Sequence, residues 1–120
     1  MKSGVIVAVD ELFFAAKIRA TAQRLDLEVV FPRSFENLIE SAIQTKPALV
    51  IVDLHLQRYD PFLVARRLKE NGELRTTPVI GFFSHVQTEL RLRAIAAGYD
   101  HVLARSAFTK RLPEILQGQF

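Results

Sequence analysis

The sequence contains no cysteine. Disulfides, thiolate metal sites and thiol nucleophiles are therefore excluded. No apolar run approaches the roughly 18 residues that a membrane span requires. Residues 1–4 lead into a short apolar run that ends before Asp10, too short for a signal peptide. The cytoplasm is the expected location. Charge of either sign is nearly balanced: the net charge is +3, spread along the chain. That is a weak nucleic-acid signal despite a pI near 9.6. There is no linker, internal repeat or low-complexity segment. What remains is an ordinary globular composition, 49% hydrophobic and 24% charged, with nine phenylalanines. Its 120 residues are expected to form a single domain over 1–120. A chain of this length buries roughly two-thirds of its unfolded surface.

Strand and helix patterns alternate. Residues 5–9 (VIVAV) form a continuous β-branched run, the mark of a strand buried on both faces. Phe14, Ile18, Ala22 and Leu25 then fall on one helical stripe. Residues 27–31 (LEVVF) predict a second strand, stopped by Pro32. Ser34 is placed to cap a helix whose stripe is Phe35, Leu38, Ile39, Ala42 and Ile43, closed by Lys46-Pro47. A third strand spans 48–52 and ends at Asp53. Asp60-Pro61 marks a turn before a helix over 62–69, which Asn71-Gly72 ends. A fourth strand over 79–83 ends at Ser84. A helix over 88–97 follows, with Gly98 at its end, and a fifth strand over 101–104 ends at Arg105. Phe108, Leu112, Ile115 and Leu116 predict a last helix, but Pro113 conflicts with it. That helix should be short, or start late with Pro113 in its first turn. The pattern is (βα)5, which implies a parallel five-stranded sheet covered on both faces. Right-handed crossovers make a flavodoxin-like, doubly wound three-layer sandwich of order 2-1-3-4-5 the expected solution.

In such a sheet, ligands sit beyond the carboxyl ends of the strands. Asp10 and Glu11 lie at the end of the first strand, Asp53 at the third, Ser84 at the fourth and Arg105 at the fifth. Three carboxylates, a hydroxyl and a cation are thus expected at one edge. Clustered carboxylates suit Mg²⁺, which takes carboxylate, carbonyl and water oxygens. A carboxylate beside it can attack phosphorus, and a hydroxyl and a fixed cation can hold the phosphoryl oxygens.

The segments VIVAVDE, ALVIVDLHLQRYDPF, TTPVIGFFS and AIAAGYDHVLARS resemble those of response-regulator receiver domains. The resemblance runs end to end and implies a stand-alone receiver in a two-component phosphorelay. It implies that Asp53 is the phosphoacceptor and that Asp10, Glu11 and Asp53 bind Mg²⁺, with the backbone carbonyl of His55 as a further ligand. It gives Ser84 and Arg105 the two phosphoryl-holding positions and matches Asp60 to an acidic loop position. The implied partners are a histidine kinase or phosphotransfer protein in trans, and a downstream protein or second copy at the helix 4–strand 5–helix 5 face. Such a domain is not an enzyme in the usual sense.

Several positions depart from the family pattern. Arg105-Ser106 replaces a Lys-Pro pair, and arginine is a longer, planar fork. Val102 replaces an aromatic switch residue, His85 a small residue, Gln57 a proline and Pro61 a glycine. An alternative function follows: a pseudo-receiver that binds partners without phosphorylation. Plainer roles are open residue by residue. Asp53 and Asp60 suit turns, Glu11 suits a first helical turn, and Ser84 suits an N-cap. Arg105 suits a pair with Asp53 or Asp10 that closes the site without metal. His85 suits a half-exposed loop, with His55 and His101 weaker ligand candidates. Arg66, Arg67, Lys69, Arg91, Arg93, Lys110 and Arg111 lie on helices and are expected to form solvated faces. An acidic partner suits the Arg91, Arg93, Lys110 and Arg111 face. Direct DNA binding is not expected, because no helix-turn-helix is present. A nucleotide- or flavin-binding role is disfavoured, because Asp10-Glu11-Leu12-Phe13 is acidic and lacks a glycine-rich phosphate cradle.

Overall fold

A computed structural model describes residues 4–84 and 87–120. Five strands run parallel in the order β2-β1-β3-β4-β5. They are β1 Val5–Ala8, β2 Val29–Val30, β3 Leu49–Asp53, β4 Val79–Phe83 and β5 His101–Ala104. The helices are α1 Leu12–Arg24, α2 Phe35–Thr45, α3 Pro61–Glu70, α4 Thr88–Ala97, α5 Arg105–Lys110 and α6 Leu112–Leu116. This is the expected flavodoxin-like, doubly wound sandwich.

The sheet is buried on both faces because its strands are apolar at consecutive positions. Ile6, Ala8, Val50 and Val52 pack with Leu38 and Ala42 of α2, Val64 and Leu68 of α3, and Ala94 of α4. Val5, Val7, Leu49, Ile51 and Phe82 pack on the other face with Phe14 and Ile18 of α1, Phe108 of α5, and Leu112 and Ile115 of α6. Phe82 and Phe108 stack there with ring centres 4.6 Å apart, and Phe14 tilts onto both. In the register, Ala8 lies opposite Val52, Asp53 opposite Phe82, and Phe83 opposite Ala104. The carboxyl ends of β1, β3, β4 and β5 therefore form one edge.

Helix ends follow local chemistry. Ser34 caps α2 by accepting the Asn37 N–H at 3.0 Å. Lys46, with φ of 47°, ends that helix. Asp60, expected as a turn residue, caps α3 by accepting the N–H groups of Phe62 and Leu63. Gly98 ends α4 at φ of 119°, where an added Cβ would also lie 2.9 Å from Lys69 Cγ.

Two elements differ from expectation. The second strand is two residues rather than the five over 27–31. It is an edge strand that pairs only with Val5 and Ile6, and Pro32 cannot donate to the ladder. The last helix is split at Arg111. Pro113 lies in the first turn of α6, as the late-start reading required. A separate α5 precedes it, beginning at Arg105 itself. Pro113 has no N–H to bond the Thr109 carbonyl, so one continuous helix is not available.

Candidate functional site

Asp53 closes β3 half-buried at the sheet edge. Its Oδ1 accepts the His55 N–H at 2.8 Å. Burial pushes the carboxyl above its ordinary range. The His55 N–H, the His55 ring and Arg105 oppose that rise, and Asp10 adds to it. Asp10 and Arg105 are thus electrostatic neighbours of Asp53, although neither is hydrogen-bonded to it.

Asp10 lies just past β1 and bonds across to the loop after β3. Its Oδ2 accepts the Gln57 N–H at 3.0 Å. Arg58 Nε lies 3.6 Å from its Oδ1. The Gln57 side-chain amide in turn donates to the His55 carbonyl at 3.2 Å. One glutamine therefore holds both a carboxylate and the carbonyl expected to face a metal.

Glu11 takes the plainer of its two expected roles, at the start of a helix. It is the N-cap of α1, and its carboxylate accepts the N–H groups of Phe13 and Phe14. Turned back on its own helix, it does not join Asp10 and Asp53. Among the described residues, no three acidic or histidine side chains converge closely enough to hold a cation. Arg105 pairs with Glu11, Nη2 to Oε2 at 3.5 Å, and not with Asp53 or Asp10, the partners named for its plainer role. Its guanidinium rests over the Phe14 ring, 4.1 Å from the centroid. The aromatic face and the capping carboxylate draw it to the α1 side of the site.

Ser84 follows β4 immediately and is exposed. His85 lies outside the described residues. Val102 is buried in β5. His101 is exposed and tilts against Phe120. Arg91 and Arg93, expected on a solvated face, lie over the rings of Phe83 and Phe62 at 5.8 and 4.0 Å. Sequence reasoning missed the contacts of Gln57 and Arg58, and it missed Tyr99. The Tyr99 hydroxyl is buried and donates to the Pro61 carbonyl at 2.6 Å, tying the start of β5 to α3. No periodicity marks Gln57 or Arg58, since loop residues lack one. A tyrosine just before a buried strand was the one visible cue to Tyr99.

The donor set fits a hard divalent cation in part. The carboxylates of Asp10 and Asp53 and the His55 carbonyl are oxygen ligands of the kind Mg²⁺ takes, with water completing the shell. Glu11 fits only if it releases α1.

A family model for the response regulator receiver domain matches residues 5–117. The chain belongs to the response-regulator receiver domain family. No curated protein matches the sequence. Among solved structures, it is similar to the chemotaxis response regulator CheY4 of Vibrio cholerae, with a TM-score of 0.84 and 16% identity over 98% of each chain. It is similar to the receiver domain of a Pseudomonas aeruginosa sensor histidine kinase, whose structure has magnesium coordinated in the active-site cleft. That match has a TM-score of 0.83 and 19% identity, over 98% of this chain and 97% of that one. A phosphorylated cyanobacterial phytochrome response regulator matches at a TM-score of 0.80 and 18% identity, over 98% and 91% of the two chains. At these identities the structural matches speak for the fold. Receiver domains are signalling modules of two-component systems, and this one keeps their architecture.

Proposed function

We propose that this receiver is a phosphorylation switch in which Asp53 accepts a phosphoryl group from a histidine kinase or phosphotransfer protein acting in trans. The observation that carries the reading is the placement of Asp53. It ends the central strand β3, half-buried, with Asp10 and Arg105 both close enough to act on its charge. Asp10, Asp53 and the His55 carbonyl are the residues that would hold Mg²⁺. That ion would supply positive charge between the carboxylates and the incoming phosphoryl oxygens. An Asp53 oxygen forms a bond to phosphorus as the bond to the donor's imidazole nitrogen breaks, and the electron pair leaves with the donor. Ser84 and Arg105 hold the phosphoryl oxygens, which requires Arg105 to leave Glu11. The domain acts by changing partners rather than by turning over a substrate.

The downstream partner is an acidic protein at the face formed by α4, β5 and α5, and a second copy is the other occupant this face suits. Leu92 and Ile95 are exposed on α4 beside Arg91 and Arg93. A cytoplasmic location and the absence of direct DNA contact belong to the same proposal. No described helix is long and apolar enough to cross a membrane.

The test is intact-mass spectrometry after incubation with acetyl phosphate and Mg²⁺. One labile phosphoryl adduct on the wild type and none on Asp53→Asn is the expected result. The internal partners of Glu11, Asp10 and the His55 carbonyl favour a second reading, a receiver that binds partners unmodified. Absence of the adduct, with partner binding unchanged in Asp53→Asn, would establish that second reading instead.

A further inference from the structure

Three positions at the strand edge carry the oxygen atoms that suit a cation, and each is engaged by a donor from the chain itself. Asp10 Oδ2 takes the Gln57 N–H at 3.0 Å, and Arg58 stands 3.6 Å from Oδ1. The His55 carbonyl takes the Gln57 amide at 3.2 Å. Asp53 Oδ1 takes the His55 N–H at 2.8 Å. Two of these positions, Asp10 and His55, are served by the adjacent pair Gln57-Arg58. A guanidinium beside a carboxylate supplies the positive charge that a cation would otherwise bring. An amide N–H on a carbonyl takes one of its two electron pairs and competes with a metal for that oxygen. The loop bearing the pair is itself braced, because the Tyr59 hydroxyl donates to the Pro32 carbonyl at 3.3 Å. Gln57 and Arg58 remain exposed, so their removal leaves the core intact.

We propose that Gln57 and Arg58 form a latch that stands in for the divalent cation, so that metal must displace them to bind. The latch rests on the reading of Asp10, Asp53 and His55 as the cation-holding set. It gives this receiver a weak cation site and makes metal binding compete with an internal ion pair. The latch opens in two parts: Arg58 swings from Asp10 into solvent, and the Gln57 side chain turns off the His55 carbonyl.

The experiment is a calorimetric titration of the intact chain with MgCl₂, without any phosphoryl donor. The Gln57→Ala/Arg58→Ala double variant should bind Mg²⁺ at least tenfold more tightly than wild type. Adding Asp10→Asn to the double variant should abolish that binding. Arg58→Lys, which keeps a positive charge at the position, should stay near wild type, which a merely structural role for Arg58 would not require. Equal, Asp10-dependent affinity in wild type and double variant would overturn the latch and leave the cation site standing. No binding to either would overturn both.

Discussion

The Arg105 guanidinium lies 4.1 Å from the centre of the Phe14 ring of α1. The same group reaches Glu11 at 3.5 Å. Phe14 in turn leans on Phe82 and Phe108 in the core. The cation at the end of β5 is thereby coupled to the packing of one face of the sheet. A cation over an aromatic face at a half-exposed site is worth about 0.5–1 kcal/mol. A double-mutant cycle on Arg105→Ala and Phe14→Leu, read by urea denaturation, should return a coupling energy of about that size. Strict additivity would show that the contact contributes nothing.

The charge state of Asp53 has a consequence for stability. Burial raises its carboxyl above the ordinary value of 3.8, so the folded chain holds that proton more tightly than the unfolded chain does. Stability is then lost as pH rises through the folded pKa. Asp53→Asn removes this loss. The variant should melt above wild type at neutral pH and level with it in acid well below 3.8. Equal melting temperatures at neutral pH would contradict the assignment.

Lys69 stabilises the far end of the sheet. Its ammonium donates to the carbonyls of Arg75 and Thr77 at 3.1 and 3.0 Å and to Asp100 Oδ2 at 2.8 Å. That oxygen also accepts the Val79 N–H at 2.8 Å. Hydrogen bonds to charged groups contribute about 1.5–3 kcal/mol where they are shielded, and Lys69 is mostly so. Lys69→Met should cost about 1–2 kcal/mol by urea denaturation, at the lower end because Asp100 is solvated. The Val79 amide should exchange with solvent faster in the variant.

The two tyrosines offer an alkaline signature. Burial lifts the Tyr59 hydroxyl to about 12, with Asp10 adding to the rise. Burial sets Tyr99 well above 10, reinforced by Asp60. Both shifts place more protons on the folded chain above pH 10, so stability falls as pH rises from there. Absorbance of ionised tyrosine should stay low at pH 10 and rise only above it, with Tyr99 ionising last. Ionisation of both tyrosines in a folded chain near pH 10 would overturn the buried placement of Tyr99.

The sequence predicted the core more fully than the site. The bounds of β4, α4 and β5 emerged directly, because continuous apolar runs lie between strong punctuation at Thr77-Pro78 and Gly98. Parallel topology then placed Asp10, Asp53 and Ser84 at one edge with no further assumption. The direction of a side chain was not legible in the same way. Whether Glu11 faces Asp53 or its own helix depends on one backbone turn at residue 11, and spacing does not encode it. The partner of Arg105 followed from that turn. Gln57 and Arg58 act through loop geometry, and loops have no period to read.

The brevity of β2 governs how copies of this chain can meet. A sheet recruits another molecule by presenting a long row of unpaired N–H and C=O groups at its rim. Here that rim is two residues long and is followed, one residue on, by Pro32, which has no N–H to offer. An incoming strand on this side finds too short a ladder to hold it. The β2 side therefore offers little template for fibre-like growth.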